Sequence, residues 1–434
     1  MSVLGCLLRD QEKLPSVLET LKPEDFYRGD HREIYLAILD LFDKSVPVDI
    51  LTVEEQLRTR GTVNKTGGMA YLGELAAGVI SSENAKHYAG IVAEKALLRK
   101  LIRECTKAVE ESYASAGEAA DIIDAAEMAI FGIMEDRNRE GVVHVKEVIA
   151  EIYNKLMELY NSKSRYTGLQ TGFYLLDEKT HGLQKSDLIL LAARPSMGKS
   201  ALAGNIAHYA AVRGEAPVIY FSLEMSRDQL VNRMISADEE IDAGKMKSGK
   251  LSDEDWKKIA SATARLMNAP LYIDDTTSVT VAEIKAKSRR LKLERGGLGL
   301  VIIDYIQLMA GSGRGGRFEN RQQEMSEISR SLKLMAKELN VPVLALSQLS
   351  RAPELRGKEG HRPVLSDLRE SGAIEQDADI VMFIYRDEFY NEATEKPGIA
   401  ELIISKHRNG ETGTIEMLWQ DTYTRFVNLD KHQW

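Results

Sequence analysis

The sequence contains little cysteine, few aromatic residues and no long apolar run. Two cysteines in 434 residues, Cys6 and Cys105, are too few for a disulfide framework, a zinc ribbon or a zinc finger. No apolar stretch is long enough to span a membrane. Residues 1–8 are too short for a signal peptide and are followed at once by Arg9 and Asp10. We therefore expect a helix-rich protein of the reducing cytoplasm, without a membrane partner.

The chain also has no overall positive charge. Its formal net charge is −9, with 66 acidic and 57 basic residues. Nucleic acid attracts local clusters of Lys and Arg even on an acidic protein. Any contact with nucleic acid must therefore come from local basic loops.

A phosphate-binding motif organises the second half of the chain. The apolar run Leu188–Ala193 predicts a buried strand, which breaks at Arg194-Pro195 and is followed by Gly198, Lys199 and Ser200. A helical stretch, residues 201–211, comes next. Strand, Gly-Lys-Ser loop and helix are the context of a P-loop, in which backbone N–H groups cradle phosphates, the lysine reaches the β- and γ-phosphates and the serine places its hydroxyl on Mg²⁺. The motif departs from the usual pattern in having Ala193 where a first glycine is expected; a chance turn is the alternative.

The hydrophobic patterns along the chain predict that it is divided into three parts. Residues 1–135 are amphipathic and helical, including a long segment at 83–113 and a second at 118–136 that together suggest an antiparallel hairpin. The apolar stripe of this hairpin is either intramolecular core or a contact with another subunit. Residues 136–167 form a linker with one amphipathic helix, 145–160, and residues 168–434 form an α/β domain.

Apolar strands and helices alternate in that last part, which indicates a mostly parallel sheet with right-handed crossovers. The predicted strands are 188–193, 218–223, 271–274, 300–304, 343–347 and 380–385. Helices are predicted at 280–294, opened by a capping box of Thr280 and Glu283, and at 322–339. Residues 399–405 and 414–418 read as a closing β-hairpin.

Polar residues follow three of these strands, where ligands bind in an open α/β sheet. Glu224 can activate a water against the γ-phosphate, or it can be a carboxylate near the start of the next helix. Asp304 ends an apolar strand in the manner of a Walker B acid, whose carboxylate holds Mg²⁺. Gln348 can sense the γ-phosphate, or it can be an ordinary loop residue.

Two loops and one turn carry cations that can reach other molecules. The loops 311–317 and 366–379 can grip DNA phosphates or be solvated surface, and neither contains an aromatic residue for base stacking. Lys406 and Arg408 lie at a hairpin turn, which can be solvated or can reach a neighbour's site as an arginine finger.

Seven stretches together resemble the DnaB family of replicative DNA helicases. They run in order along the α/β part: residues 193–200 (ARPSMGKS), 221–226 (FSLEMS), 301–309 (VIIDYIQLM), 319–333 (ENRQQEMSEISRSLK), 345–351 (ALSQLSR), 366–380 (SDLRESGAIEQDADI) and 406–414 (KHRNGETGT). A looser likeness covers 21–27, 47–53 and 67–76. Family members usually carry more residues before the stretch that matches 2–5, so this chain looks shortened.

The resemblance implies an all-α N-terminal collar that meets primase, a linker helix at 145–160 that docks on a neighbouring subunit, and a RecA-like P-loop ATPase domain. It implies a homohexameric ring that moves 5′→3′ on single-stranded DNA with ATP and Mg²⁺, in a primosome with primase and a helicase loader.

By position, the resemblance also assigns site residues. Those that hold the nucleotide are Ser196, Gly198, Lys199, Ser200, Ala201 and Arg233. Glu224 is the catalytic carboxylate, Asp304 the Mg²⁺-linked acid and Gln348 the sensor. Lys406, His407 and Arg408 reach the adjacent nucleotide, although glutamine is common at position 407. Arg369, Glu370 and Gly372 line the DNA-binding loop.

Three other functions are weighed against the helicase. A RecA-like DNA-dependent ATPase of recombination shares the motor fold but lacks a large helical N-terminal domain and the KHRNG turn. A fused primase-helicase requires a zinc module that two cysteines cannot build. An inactive ring subunit or loading scaffold does not need the complete set that is present here: Gly198, Lys199, Ser200, Glu224, Asp304 and Arg408.

Overall fold

The computed structural model describes residues 1–114, 166–310, 321–356, 361–391 and 393–429, together with single helical positions between 119 and 160. The chain forms two compact units, Met1–Ile152 and Tyr153–Trp434. The predicted helices at 118–136 and 145–160 lie mostly outside the described residues, and the basic loop 311–317 lies wholly outside them. The three-part division of the chain therefore stays a prediction.

The first unit is helical, as predicted. Its α-helices are α1 (Ser2–Arg9), α2 (Leu14–Leu18), α3 (Gly29–Asp43), α4 (Ile50–Thr59), α5 (Gly68–Ala77) and α6 (Ala85–Ala114). Local chemistry sets their ends: the Asp49 side chain caps α4 by accepting hydrogen bonds from the N–H groups of Leu51 and Thr52. Apolar faces of these helices meet in one core around Leu4, Ile34 and Ile38, which are fully buried.

Close backbone packing joins α1 to α5. A Cβ atom at Gly5 would overlap the carbonyl oxygen of Leu75 and lie 2.6 Å from Cγ2 of Val79. The first helix therefore packs tightly against α5, because only glycine permits this approach.

Much of the apolar stripe of α6 is not buried. The helix buries Ala85 and Ala89 near its start. Farther along, Leu98 is 45%, Ile102 64% and Val109 53% exposed. Within the described part of the chain, this half of the stripe is not intramolecular core.

A nine-stranded sheet forms the centre of the second unit. Its strands are β1 (Leu188–Ala193), β2 (Val218–Ser222), β3 (Leu271–Asp274), β4 (Leu300–Asp304), β5 (Val343–Gln348), β6 (Ile380–Tyr385), β7 (Ile399–His407), β8 (Gly413–Gln420) and β9 (Arg425–Asn428). They lie in the order β3-β2-β4-β5-β1-β6-β7-β8-β9. The neighbours from β3 to β6 run parallel, and β7, β8 and β9 continue antiparallel.

Helices cover both faces of the sheet. They are α7 (Tyr174–Thr180), α8 (Lys199–His208, continued by a π-helical turn Tyr209–Arg213), α9 (Arg227–Glu239), α10 (Ala243–Ser248), α11 (Asp253–Asn268), α12 (Val281–Glu294), α13 (Arg321–Leu339), α14 (Ala352–Leu355) and α15 (Gly372–Asp377). Alternate residues of the parallel strands enter two separate cores, with α8 on one face and α13 on the other, whereas the buried residues of β8 and β9 enter only the core that contains α8. This arrangement is the buried parallel sheet of an α/β protein.

The predicted elements agree with the observed ones within a few residues. Strands β1, β3, β4 and β6 have the predicted bounds, and the Thr280 capping box is present. Two differences concern the end of the chain. β7 extends to His407, so Lys406 and His407 lie on a strand rather than at the turn. β9 was not predicted, because its four residues contain too short an apolar pattern.

Because α1 and α5 pack so closely at Gly5, adding a single methyl group at this position should destabilise the N-terminal unit. We expect Gly5→Ala to lower the free energy of unfolding of the N-terminal unit by about 1–3 kcal/mol, as overpacking usually does. Thermal and urea unfolding of the full chain, followed by circular dichroism, measures this change.

Gly73→Ala on α5 is the matched control. A Cβ atom there meets nothing within 4 Å, and alanine in a helix is up to about 1 kcal/mol more favourable than glycine. Equal stabilities for the two variants would contradict the packing of α1 described here.

Candidate nucleotide and DNA site

The P-loop follows the carboxyl end of β1 and turns into α8. Two left-handed residues make the turn: Ser196 at φ 66° and Gly198 at φ 97°. A Cβ atom at Gly198 would lie 2.8 Å from the Phe426 ring and 3.1 Å from the Trp419 ring. The left-handed backbone and this close aromatic packing both require glycine at position 198. Ser200 and Ala201 follow in the first turn of α8, where free N–H groups favour an anion.

Lys199 points toward the carboxylate of Asp304 at the end of β4, the residue predicted to be the Walker B acid. Its Nζ lies 3.4 Å from Oδ1 of Asp304 and 4.2 Å from the centre of the Tyr305 ring. The Lys199 side chain is only 11% exposed. Burial lowers the pKa of Lys199, and the charges of Asp304 and Glu224 partly offset that lowering. The pair therefore places a partly desolvated ammonium group beside a buried carboxylate.

The two carboxylate oxygens of Asp304 have different partners: Tyr220 hydrogen-bonds one, and the Lys199 ammonium lies near the other. Tyr220 on β2 donates its hydroxyl to Oδ2 at 3.2 Å, whereas the buried Oδ1 accepts no hydrogen bond. Burial, and then the charge of Asp304, raise the pKa of Tyr220 and keep its hydroxyl a donor. A hard divalent cation prefers oxygen ligands. Oδ1 of Asp304, which has the Lys199 ammonium nearby but no hydrogen bond, and the Ser200 hydroxyl are oxygen atoms that fit such an ion.

Glu224 lies just beyond the end of β2, next to this pair. It is exposed, and its charge helps to raise the pKa of Tyr305, after the larger effect of burial. The following helix, α9, is capped by Ser226, whose side chain accepts from the N–H of Gln229. Arg233 lies on the same helix, and its positive charge partly offsets the rise in the pKa of Tyr220. Helix capping is therefore done by Ser226, which leaves the Glu224 carboxylate available to the site.

Gln348 is the last residue of β5 and lies beside the P-loop strand. It is paired in register with Ala193. Gln307 braces it: the Gln307 side chain donates to the Gln348 carbonyl at 3.1 Å and to Oγ of Ser347 at 2.9 Å, and accepts from the Gln348 N–H at 3.3 Å. The exposed Gln348 side chain thus stands on a fixed backbone at the carboxyl edge of the sheet.

The cations of β7 lie at the opposite edge of the sheet. His407 pairs with Ile380, the first residue of β6, and β6 runs parallel to β1. Arg408 donates its backbone N–H to the Asp379 carbonyl at 2.9 Å. Burial lowers the pKa values of Lys406 and His407. Strands rise about 3.3 Å per residue, so the length of β1 separates these groups from the P-loop of the same chain.

The predicted DNA loop is described only in part. Arg369 and Glu370 fall in a 3-10 helix, Leu365–Ser371, and Gly372 begins α15. The side chains at 369 and 370 lie outside the described part. Their backbone leads through α15 into β6, which lies next to β1.

Three contacts of the site were not predicted from the sequence. Gln307 braces β5, the Tyr305 ring lies beneath Lys199, and Arg386 lies over the Trp419 ring at 4.8 Å. Arg386 also donates to the Ser196 carbonyl at 3.4 Å. The one available signal for Arg386 is its place immediately after β6, where ligands bind in such sheets.

The comparisons with known proteins agree with this geometry. A family model for the C terminal domain of DnaB-like helicases matches residues 168–428, and one for the N terminal domain matches residues 1–94. The chain is 47% identical to the replicative DNA helicase DnaB of Geobacillus stearothermophilus, over 99% of this chain and 94% of that protein. It is 46% identical to the replicative DNA helicase DnaC of Bacillus subtilis, with the same coverage.

A solved structure shares the whole fold. It is that of a DnaB-like replicative helicase studied with its interactions with primase. The TM-score is 0.79 at 35% sequence identity, over 99% of this chain and 98% of that chain. Likeness in sequence and in structure therefore extends over both units.

The geometry of Gly198 predicts a loss of nucleotide affinity on adding one methyl group. A non-glycine residue in left-handed backbone costs roughly 1–2 kcal/mol, and the Phe426 ring must also move. We expect Gly198→Ala to weaken binding of a fluorescent ATP analogue by about tenfold or more, since 1.4 kcal/mol is a factor of ten.

Gly204→Ala on the same helix is the matched control, because a Cβ atom there would lie 4.0 Å from its nearest neighbour, Cε of Met234. We expect its affinity to stay near that of the unaltered chain. Unchanged affinity in Gly198→Ala would contradict the described P-loop.

Proposed function

Because this chain belongs to the family of DnaB-like replicative DNA helicases, which use ATP, we propose that it works as a homohexameric ring around single-stranded DNA. The ring moves 5′→3′ and hydrolyses ATP between subunits. The observation that carries this proposal is the separation of the two halves of the site. Lys199, Asp304 and Glu224 lie at the carboxyl edge of the parallel strands, and Arg408 lies at the amino edge.

One chain cannot bring these two edges together, because the rigid sheet lies between them. A neighbour in a ring can present its amino edge to the carboxyl edge of the next subunit. Arg408 is 46% exposed on its side chain, so it is accessible to such a neighbour. We assign Arg408 as the group that stabilises charge on the neighbour's γ-phosphate, with Lys406 and His407 beside it. Such an arginine is typically worth about 10³–10⁵ in turnover.

Within one subunit, each residue has a distinct task. Lys199 leaves Asp304 and Tyr305 to reach the β- and γ-phosphates, while the N–H groups from Ser196 to Ala201 cradle them. Glu224 takes a proton from the attacking water, and Gln348 detects the γ-phosphate. Arg233 adds a further contact to the nucleotide. Because Lys199 and Asp304 are little exposed to water, their electrostatic interactions with a bound nucleotide are stronger than they would be in solvent.

We further propose that Ser200 and Asp304 hold Mg²⁺. The buried Oδ1 of Asp304 has no hydrogen bond in the described structure, and its one ionic contact is the Lys199 ammonium at 3.4 Å. Once Lys199 turns to the phosphates, this oxygen suits a ligand of a cation. When bound, Mg²⁺ neutralises charge on the phosphate oxygens. The Tyr220 hydroxyl then keeps the other carboxylate oxygen, Oδ2, in place.

DNA binding is assigned to Arg369, Glu370 and Gly372. The helix they lead into ends against β6, and the chain has no aromatic residue within 366–379. Contact is therefore with phosphates, and sequence preference is low. This suits a motor that must pass every sequence.

The N-terminal unit is assigned as a collar that meets primase, with residues 136–167 as the linker to the motor. The exposed stripe of α6 around Leu98, Ile102 and Val109 supports a contact with another subunit. A helicase loader is the further partner, and the cytoplasm is the compartment. No helix in the described residues has the length and apolar character that a membrane span requires.

The proposed site between subunits predicts a separation of binding from hydrolysis. Arg408→Ala should bind ATP as the unaltered chain does, because its own P-loop is intact, and should lose hydrolysis. Steady-state ATPase with single-stranded DNA, alongside equilibrium binding of an ATP analogue, measures the two properties. Normal hydrolysis would refute the assignment of Arg408.

Electron microscopy of the same preparations provides the check on assembly. We expect closed rings with both the unaltered chain and Arg408→Ala. Helical filaments on DNA would instead favour a recombination ATPase.

A further inference from the structure

A network of hydrogen bonds and ion pairs surrounds Asp379 at the amino edge of the sheet. Asp379 immediately precedes β6 and is 5% exposed. Its Oδ2 accepts from the backbone N–H of Leu188 at 2.8 Å and from Nζ of Lys333 at 2.5 Å. Its Oδ1 lies 3.7 Å from the Arg408 guanidinium. One buried carboxylate therefore ties the start of β1, helix α13 and Arg408 together.

The carbonyl end of α15 contacts the same cations. Arg408 donates to the Gln376 carbonyl, and Lys406 donates to the carbonyls of Glu375 and, at 3.2 Å, of Gln376. The last carbonyl groups of a helix have no partner within it and carry partial negative charge. They are fixed acceptors, so they define the direction in which the Arg408 guanidinium points.

Helix α13 fixes this end of α15 in turn. Ser329, which is fully buried, donates its hydroxyl to Oδ2 of Asp377, the last residue of α15, at 2.7 Å. The other end of α15 begins at Gly372, in the segment assigned to DNA. Six residues of helix span about 9 Å. The DNA-facing segment and the acceptors of Arg408 are therefore two ends of one short, anchored helix.

We propose that Asp379 and the carbonyl end of α15 position Arg408 for the neighbouring subunit, so that DNA held at the start of α15 sets the direction of this arginine. The proposal deepens the proposed function and rests on it, since Asp379 has this role only if Arg408 acts on a neighbour's nucleotide. Asp379 is thus a positioning residue, and its effect is on DNA-stimulated hydrolysis.

The test compares Asp379→Asn with Asp187→Asn in the full chain. Asparagine keeps an oxygen for the Leu188 N–H but removes the charge that faces Arg408. Misplacing a catalytic group by about 1 Å can cost on the order of 10²-fold in rate. We expect DNA-stimulated kcat of Asp379→Asn to fall by about ten- to a hundredfold, with the KM for ATP and the affinity for an oligo-dT strand within about twofold.

Asp187 is the matched control. It is another buried carboxylate at this edge, and burial, with the charge of Asp379, raises its pKa to about 6. The charges of Lys333 and Arg408 partly offset this rise in pKa, but no hydrogen bond or ion pair among the described residues joins Asp187 to Arg408. We expect Asp187→Asn to keep its stimulation by DNA. Ser329→Ala is the second variant, in case Asp379→Asn does not fold, because it only loosens the end of α15; we expect a smaller loss of stimulated kcat.

Rings that contain two kinds of subunit distinguish two explanations for a loss of activity: a misplaced Arg408 at the neighbour's site, or damage to the variant's own P-loop. Lys199→Ala subunits lack a working P-loop but keep an intact Arg408. When they are co-assembled with Asp379→Asn or Ser329→Ala subunits, stimulated turnover per intact P-loop should recover several-fold. Absence of recovery, or kcat of both variants within twofold of the unaltered chain, would overturn the proposal. Full activity of Arg408→Ala is a different result, which refutes the proposed role of Arg408 on which this proposal rests.

Discussion

The contact on which the site depends is that between the Lys199 ammonium and the Asp304 carboxylate. Both groups are nearly excluded from water, and the strands that end beside them are apolar throughout. A buried carboxylate is costly unless it is hydrogen-bonded or paired. Tyr220 provides the hydrogen bond, and Lys199 provides the charge. In the proposed function, Lys199 turns to the phosphates when a nucleotide binds, and a cation on Asp304 replaces the lost charge.

The parallel sheet imposes the second constraint. Its strands all place their carboxyl ends at one edge, so the P-loop, Glu224, Asp304 and Gln348 meet there. The antiparallel strand β7 carries Lys406 and Arg408 to the other edge. A site assembled from both edges requires two chains. The same topology thus separates Arg408 from the P-loop of its own chain, which is the ground for the proposed site between subunits.

Much of this fold follows from the sequence, and the reason is local. β1 and β4 are continuous apolar runs ended by Arg194-Pro195 and by Asp304, so their bounds agree with prediction. The contacts that hold the site residues in place could not be predicted from the sequence. Gln307 donates a hydrogen bond to the backbone of β5, and Arg386 donates one to the Ser196 carbonyl. Asp379 accepts one from the N–H of Leu188, which is distant in the sequence. Such contacts depend on strand order and register, which no local pattern contains.

The most direct test of the account is strand displacement on two forked DNAs that differ only in which strand carries the free tail for loading. The account predicts displacement with ATP and Mg²⁺ from the fork with a 5′ tail, no displacement from the fork with a 3′ tail, and none from either fork with Lys199→Ala. Displacement from the 3′ tail, or displacement that persists in Lys199→Ala, would contradict it.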